Sequence, residues 1–134
     1  MRVSAAALLA ADCPPLLAEN VAISLVMANG GIASIVYTAQ GGPAMPKERV
    51  EVFCAGRSAV IDDFQRATLH GENGTRTIKG KAQDKGHEQM LRSFLASLSG
   101  AEPLVPLRDL VCVSETTLAV VEAIAGGAVV DIRA

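Results

Sequence analysis

Asp62 and Asp63 are adjacent carboxylates, the residue type that acid/base chemistry uses in pairs. On a strand, neighbours project to opposite faces, so these two form no dyad. One is read as a surface charge and the other as a turn acceptor. His70 and His87 each lack a second His or Cys two to four residues away, so neither starts a metal site. Cys13, Cys54 and Cys112 contain no C-x-x-C pair, which excludes a zinc knuckle or disulfide framework and reads as three reduced thiols. Ser, His and Asp occur without a nucleophile elbow, so no hydrolase triad is indicated. No two glycines are separated by one residue, which rules out G-x-G-x-x-G. Gly80-Lys81 superficially fits a phosphate loop, but Thr75 stands where its first glycine belongs. The chain should therefore bind no dinucleotide by itself. Tyr37, Lys47, Arg49 and Lys85 remain as groups that could hold a small polar or anionic ligand. Of these, Tyr37, Lys47 and Arg49, around the 37–49 loop, are the candidate substrate-binding residues.

The elements that must position them follow from pattern. The 134 residues suit one domain, and 50% apolar content with 19% charge excludes a disordered polymer. Aromatics are scarce, with no Trp, three Phe and one Tyr, so the core must come from Val, Ile, Leu and Ala. That scarcity, with a net charge of −2, argues against a nucleic-acid partner. Residues 20–46 carry no charge, yet Asn29-Gly30-Gly31 divides them into runs too short to span a bilayer. Residues 1–13 look superficially like a lipoprotein leader, but Asp12 before Cys13 speaks against it and favours a strand over Arg2–Leu9. The reading is a cytoplasmic protein without a membrane span.

Val21, Ile23, Leu25 and Met27 alternate with Ala22, Ser24, Val26 and Ala28, and Ile32–Thr38 repeats the habit after Asn29-Gly30, which predicts a hairpin. Both its faces are apolar or small. Glu48–Cys54 alternates, placing Val50, Val52 and Cys54 on one side and Arg49, Glu51 and Phe53 on the other. Ser58–Asp62 returns the chain, and Arg66–His70 and Thr75–Lys79 flank Gly71-Glu72-Asn73-Gly74 as a second hairpin. The period then lengthens. Asp84 should cap a helix whose face is Met90, Leu91, Phe94, Leu95 and Leu98, ending at Gly100. A second helix should start near Pro106, turn Leu107, Leu110, Val111, Leu118, Val121 and Ala125 inward, and stop at Gly126-Gly127. Val129–Ile132 closes as a short strand. The pattern predicts an α+β fold: a mostly antiparallel, open-faced sheet of about seven strands with two C-terminal helices on one face.

Particular stretches carry a resemblance. Asn20-Val21-Ala22 leading to Ala28-Asn29-Gly30, then Ile35-Val36-Tyr37-Thr38-Ala39-Gln40-Gly41, resembles the C-terminal domain of the Gfo/Idh/MocA oxidoreductases. Pro46-Lys47-Glu48-Arg49-Val50-Glu51-Val52-Phe53, Ala59-Val60-Ile61-Asp62-Asp63-Phe64 and Gln83-Asp84-Lys85-Gly86-His87 extend it over almost the whole chain. The combination is most similar to the bi-domain bacterial members.

The resemblance implies residues 1–134 as the substrate-side and oligomerisation domain of an NAD(P)-dependent oxidoreductase acting on a sugar or sugar derivative. An N-terminal Rossmann domain outside this sequence would hold NAD or NADP. The family's Glu-Lys-Pro motif does not occur here, and Met1 falls after the family's histidine-bearing helix, so no catalytic residue transfers. The chain alone should be inactive, contribute to binding a small-molecule substrate, and pair with further copies through its open sheet face. The alternative is a stand-alone binding or oligomerisation module descended from such a domain.

Overall fold

The computed structural model describes residues 1–132 and has eight strands and two α-helices among them. The strands are β1 (Arg2–Ala7), β2 (Asn20–Val26), β3 (Ile32–Thr38), β4 (Arg49–Cys54), β5 (Arg57–Asp62), β6 (Arg66–Gly71), β7 (Gly74–Lys79) and β8 (Val130–Asp131). The helices are α1 (His87–Ser97) and α2 (Leu107–Gly126). All strand pairs are antiparallel. The α+β class thus stands, with both helices following the hairpins. The strands divide, however, into two open sheets of four rather than one of about seven, ordered β3-β2-β1-β8 and β4-β5-β6-β7. The physical reason lies in residues 40–46, where Gly41, Gly42, Pro43 and Pro46 interrupt any ladder between β3 and β4. The chain accordingly forms two compact units, Met1–Gly41 with Val105–Ala134, and Gly42–Leu104.

In the first unit, the β2–β3 hairpin turns through Gly30, whose φ of 86° only glycine adopts readily. The register aligns Val3, Leu25 and Ala33 across β1, β2 and β3, with Ala5, Ile23 and Ile35 beside them on the same face. Onto this face α2 sets Ala119, and Val3 becomes fully buried; Ala123, one turn on, is buried as well. The opposite face carries Ser4, Ser24 and Ser34 in one row and Ala6, Ala22 and Val36 in the next. The edge strand β8 is tied by hydrogen bonds exchanged between Met1 and Ile132 at 2.9 and 2.8 Å.

Here α2 corrects the sequence expectation. Leu107, Leu110, Val111 and Leu118 were expected inward; they are exposed, Leu118 at 67%, and Ala125 is exposed as well. Val121 is half-buried. The buried stripe is instead Ala119 and Ala123, because small side chains let the helix axis approach the sheet while the leucines point away. Both stripes have helical spacing, so periodicity locates two apolar faces without ranking them. The helix ends as expected, its C-cap Gly127 in the left-handed conformation at φ 60°.

The second unit is a four-stranded meander followed by α1. Val50, Ile61, Ala67 and Ile78 align across one face; Arg49, Asp62, Arg66 and Lys79 align across the other. Met90, Leu91, Phe94, Leu95 and Leu98 share a face of α1 as their spacing predicts, and all five are exposed. Asp84 was expected to cap this helix, but the N-cap is Gly86 and no side chain caps the first turn; the Asp84 carboxylate instead accepts from the Gly86 N–H at 2.8 Å, which fixes the loop before the helix rather than its free N–H groups.

Candidate functional site

The three stretches 47–49, 62–64 and 83–87 are distant in sequence and meet at one end of the second unit. The meeting point is a turn. Gln65 N–H closes it on the Asp62 carbonyl at 3.0 Å, and its two central residues, Asp63 and Phe64, have φ of 49° and 52°. An aspartate tolerates that conformation; a phenylalanine does so at a cost, and three backbone hydrogen bonds hold it there. Asp63 N–H donates to the Glu48 carbonyl at 2.7 Å, Asp84 N–H to the Phe64 carbonyl at 3.1 Å, and Gly80 N–H to the Gln65 carbonyl at 2.8 Å.

Side chains complete the cluster. The Asp63 carboxylate accepts from Gln65 at 3.0 Å and from Gln83 at 2.8 Å. Lys85 pairs with Glu48 Oε1, while Glu48 Oε2 is buried without a hydrogen-bond partner. Desolvation pushes the Asp63 carboxyl upward, but the hydrogen bonds it accepts, those from Gln65 and Gln83 among them, more than reverse this and hold it below the usual carboxylate value. On the adjoining strand face, Asp62 bridges two arginines, Arg49 at 2.9 Å and Arg66 at 2.6 Å, and Arg49 also binds Glu51 at 2.7 Å. The hydrogen bond and charge of Glu51, with help from Asp62, raise the Arg49 pKa above its ordinary value. Asp62 and Asp63 therefore fill the two roles read from sequence: one a surface charge, the other a turn acceptor.

The three candidate ligand residues fall in different places. Tyr37 lies near the end of β3 in the first unit and is exposed. Arg49 opens β4 in the second unit, and Lys47 lies two residues before it. Lys47 is exposed, whereas Arg49 is committed to Glu51 and Asp62. Glu48, Gln65 and Gln83 were not singled out as site residues, since a lone carboxylate on a strand end and two uncharged amides have no spacing signature. The one signal for Glu48 and Gln83 was membership of the stretches that carry the family resemblance, and Gln65 had none.

Chemically, the cluster positions the chain more than it offers a reacting group. Among the described residues, no three His, Cys, Asp or Glu side chains converge as metal ligands. A dinucleotide does not fit the described residues either. Every ladder among them is antiparallel, so there is no βαβ unit to aim a helix N-terminus at a pyrophosphate. No helix of the described residues is long and apolar enough to cross a membrane.

Comparison with known proteins places this architecture. No family model and no curated protein sequence matches the chain. Among solved structures, it is similar to an oxidoreductase from Agrobacterium radiobacter in complex with NAD+, L-tartaric acid and magnesium, with a TM-score of 0.75 and 15% identity. The likeness covers 97% of this chain and 42% of that one, so the present chain spans less than half the length of that protein. The fold of this chain is therefore one that also occurs as a portion of a larger oxidoreductase.

Proposed function

We propose that this chain is the C-terminal, substrate-side and oligomerisation domain of a cytoplasmic NAD(P)-dependent oxidoreductase of the Gfo/Idh/MocA type, acting on a sugar or sugar derivative. The observation that carries the reading is the likeness over 97% of this chain to 42% of an NAD+-bound oxidoreductase. A cofactor in such an enzyme accepts or donates a hydride, and a preceding Rossmann domain would hold it. This chain's residues would act on the substrate side. Lys47, exposed and without an ion-pair partner among the described residues, supplies positive charge and hydrogen-bond donors. Arg49, anchored by Glu51 and Asp62, offers a guanidinium of fixed orientation. The Glu48–Asp63–Lys85 cluster serves to hold the start of β4 and the entry to α1 in place.

Extending the protein upstream to include a dinucleotide-binding portion and following nicotinamide absorbance with a panel of sugars and sugar acids tests the proposal. Hydride transfer that falls on changing Lys47 to Ala supports it. An extended protein that binds NAD(H) or NADP(H) yet turns over none of the panel, or one with no nucleotide-binding portion upstream, overturns it. The 134-residue chain alone should give no saturable isotherm with either nucleotide.

A further inference from the structure

On the second unit's sheet, the arginines of the two faces are treated differently. Arg49 and Arg66, on one face, are both matched to carboxylates. Arg57 and Arg76 lie on the other face, exposed, with no ion pair or side-chain hydrogen bond among the described residues. They border the same concavity, a cavity of about 780 Å³ at the β4–β5 and β6–β7 turns. The floor between them is kept low by residue choice. Arg57 is aligned with Cys54 on β4, and its aliphatic stem crosses above Gly71, where an added Cβ would sit 3.8 Å from the Arg57 Cγ. Beyond Gly71 comes Gly74, its partner on β7, which also carries no side chain; Arg76 follows two residues on. Strand spacing puts the Arg57 and Arg76 Cα atoms about 12 Å apart, a gap that two extended arginine side chains close around one bound group. Beside Arg76 the floor turns apolar, with Leu69 aligned opposite it and Ala59 next in the row. Glu72, in the hairpin turn, is the carboxylate that borders the cavity.

We propose that Arg57 and Arg76 form a binding site for an oxyanion carried on an apolar body, the two guanidinium groups taking its oxygens and the Leu69 side of the floor taking its tail. Charge-assisted, bidentate contact suits phosphate and carboxylate oxygens alike. The site is independent of the oxidoreductase reading, since it lies within one unit and needs no nucleotide.

Titrating the ¹⁵N-labelled chain with inorganic phosphate, hexyl phosphate and hexanoate in separate arms tests it. Saturable shifts at the Gly71 and Gly74 amides are expected, stronger with hexyl phosphate than with inorganic phosphate if the apolar floor contributes. A hexyl phosphate response alone assigns a phosphate ester, a hexanoate response alone a carboxylate. Combining Arg57→Ala with Arg76→Ala should weaken binding about tenfold or more, and Lys79→Ala, on the opposite face, should not. Gly71→Val, which crowds the Arg57 stem, should weaken it with both charges retained. Shifts that never saturate, that spread over all basic residues, or that survive the double substitution in a chain with unchanged circular dichroism overturn the proposal. So does capture of an acidic peptide by a chain that takes neither small anion.

Discussion

Asp63 does two things that few residues could do together. Its backbone sits at φ 49°, where Asn, Asp and Gly are the comfortable choices. Its carboxylate gathers Gln65 from the same turn and Gln83 from the segment entering α1. Asp63→Asn separates the roles, because asparagine keeps the backbone preference and loses the charge. The Asp63 pKa is depressed in the folded chain, so its contribution to stability is present above the unfolded value of about 3.9 and is lost as pH falls through the folded value. Urea midpoints should therefore show Asp63→Asn below the parent at pH 7, with the difference shrinking toward pH 3. A difference that stays constant over that range would mean the charge is irrelevant and the turn alone matters. Glu48 and Lys85 face the same cluster, and Glu48→Gln, which removes a neighbouring negative charge and frees the Lys85 ammonium, should widen the same gap.

At the scale of elements, α2 shows where sequence reasoning stops. Its limits were legible, since Pro106 and Gly126-Gly127 punctuate it chemically, and so were the hairpins, whose turn residues and period-two alternation are local properties. The buried face of α2 was not legible, because Leu110 and Leu118 on one stripe and Ala119 and Ala123 on another both satisfy a helical period. What decides is how closely the sheet approaches, a tertiary fact. The division into two sheets is the same kind of fact, for alternation predicts strands without saying which edges remain unpaired. The polar cluster around Asp63 was legible only as separate motifs, since nothing local says that Gln83 returns to residue 63. A pair of substitutions checks the assignment of faces. Ala119→Leu should cost about 1–3 kcal/mol by overpacking the Val3–Leu25 floor. Leu118→Ala, on the exposed stripe, should change the stability of the isolated chain by no more than about 0.5 kcal/mol. Reversed magnitudes in chemical denaturation would turn the helix around.

The whole chain exposes 10633 Å² of accessible surface. Counted even as two separate globules of half its mass, a folded chain of 13.9 kDa should expose about 8,000 Å². The excess is larger than the roughly 800 Å² that each partner contributes to a standard interface. Much of it is apolar: the leucines of α1 and α2, and the open side of β1–β2–β3, where Ile32 and Val36 are 77% and 78% exposed. A helix apolar on nearly every side, as α2 is, normally has both faces covered. On the open sheet side, the row of Ser4, Ser24 and Ser34 and the small Ala6 and Ala22 leave a low surface flanked by Ile32 and Val36, a shape that admits a second sheet at close range. A two-fold pairing of that face buries it against itself and closes the assembly. Light scattering should accordingly give a mass of twice the chain or a larger even multiple, and Val36→Asp should return it to a monomer while far-ultraviolet circular dichroism stays unchanged. A monomer mass at high protein concentration in the parent would show that the open face does not pair with a second copy, and a dimer that survives Val36→Asp would move the interface to the exposed leucines of α1 or α2.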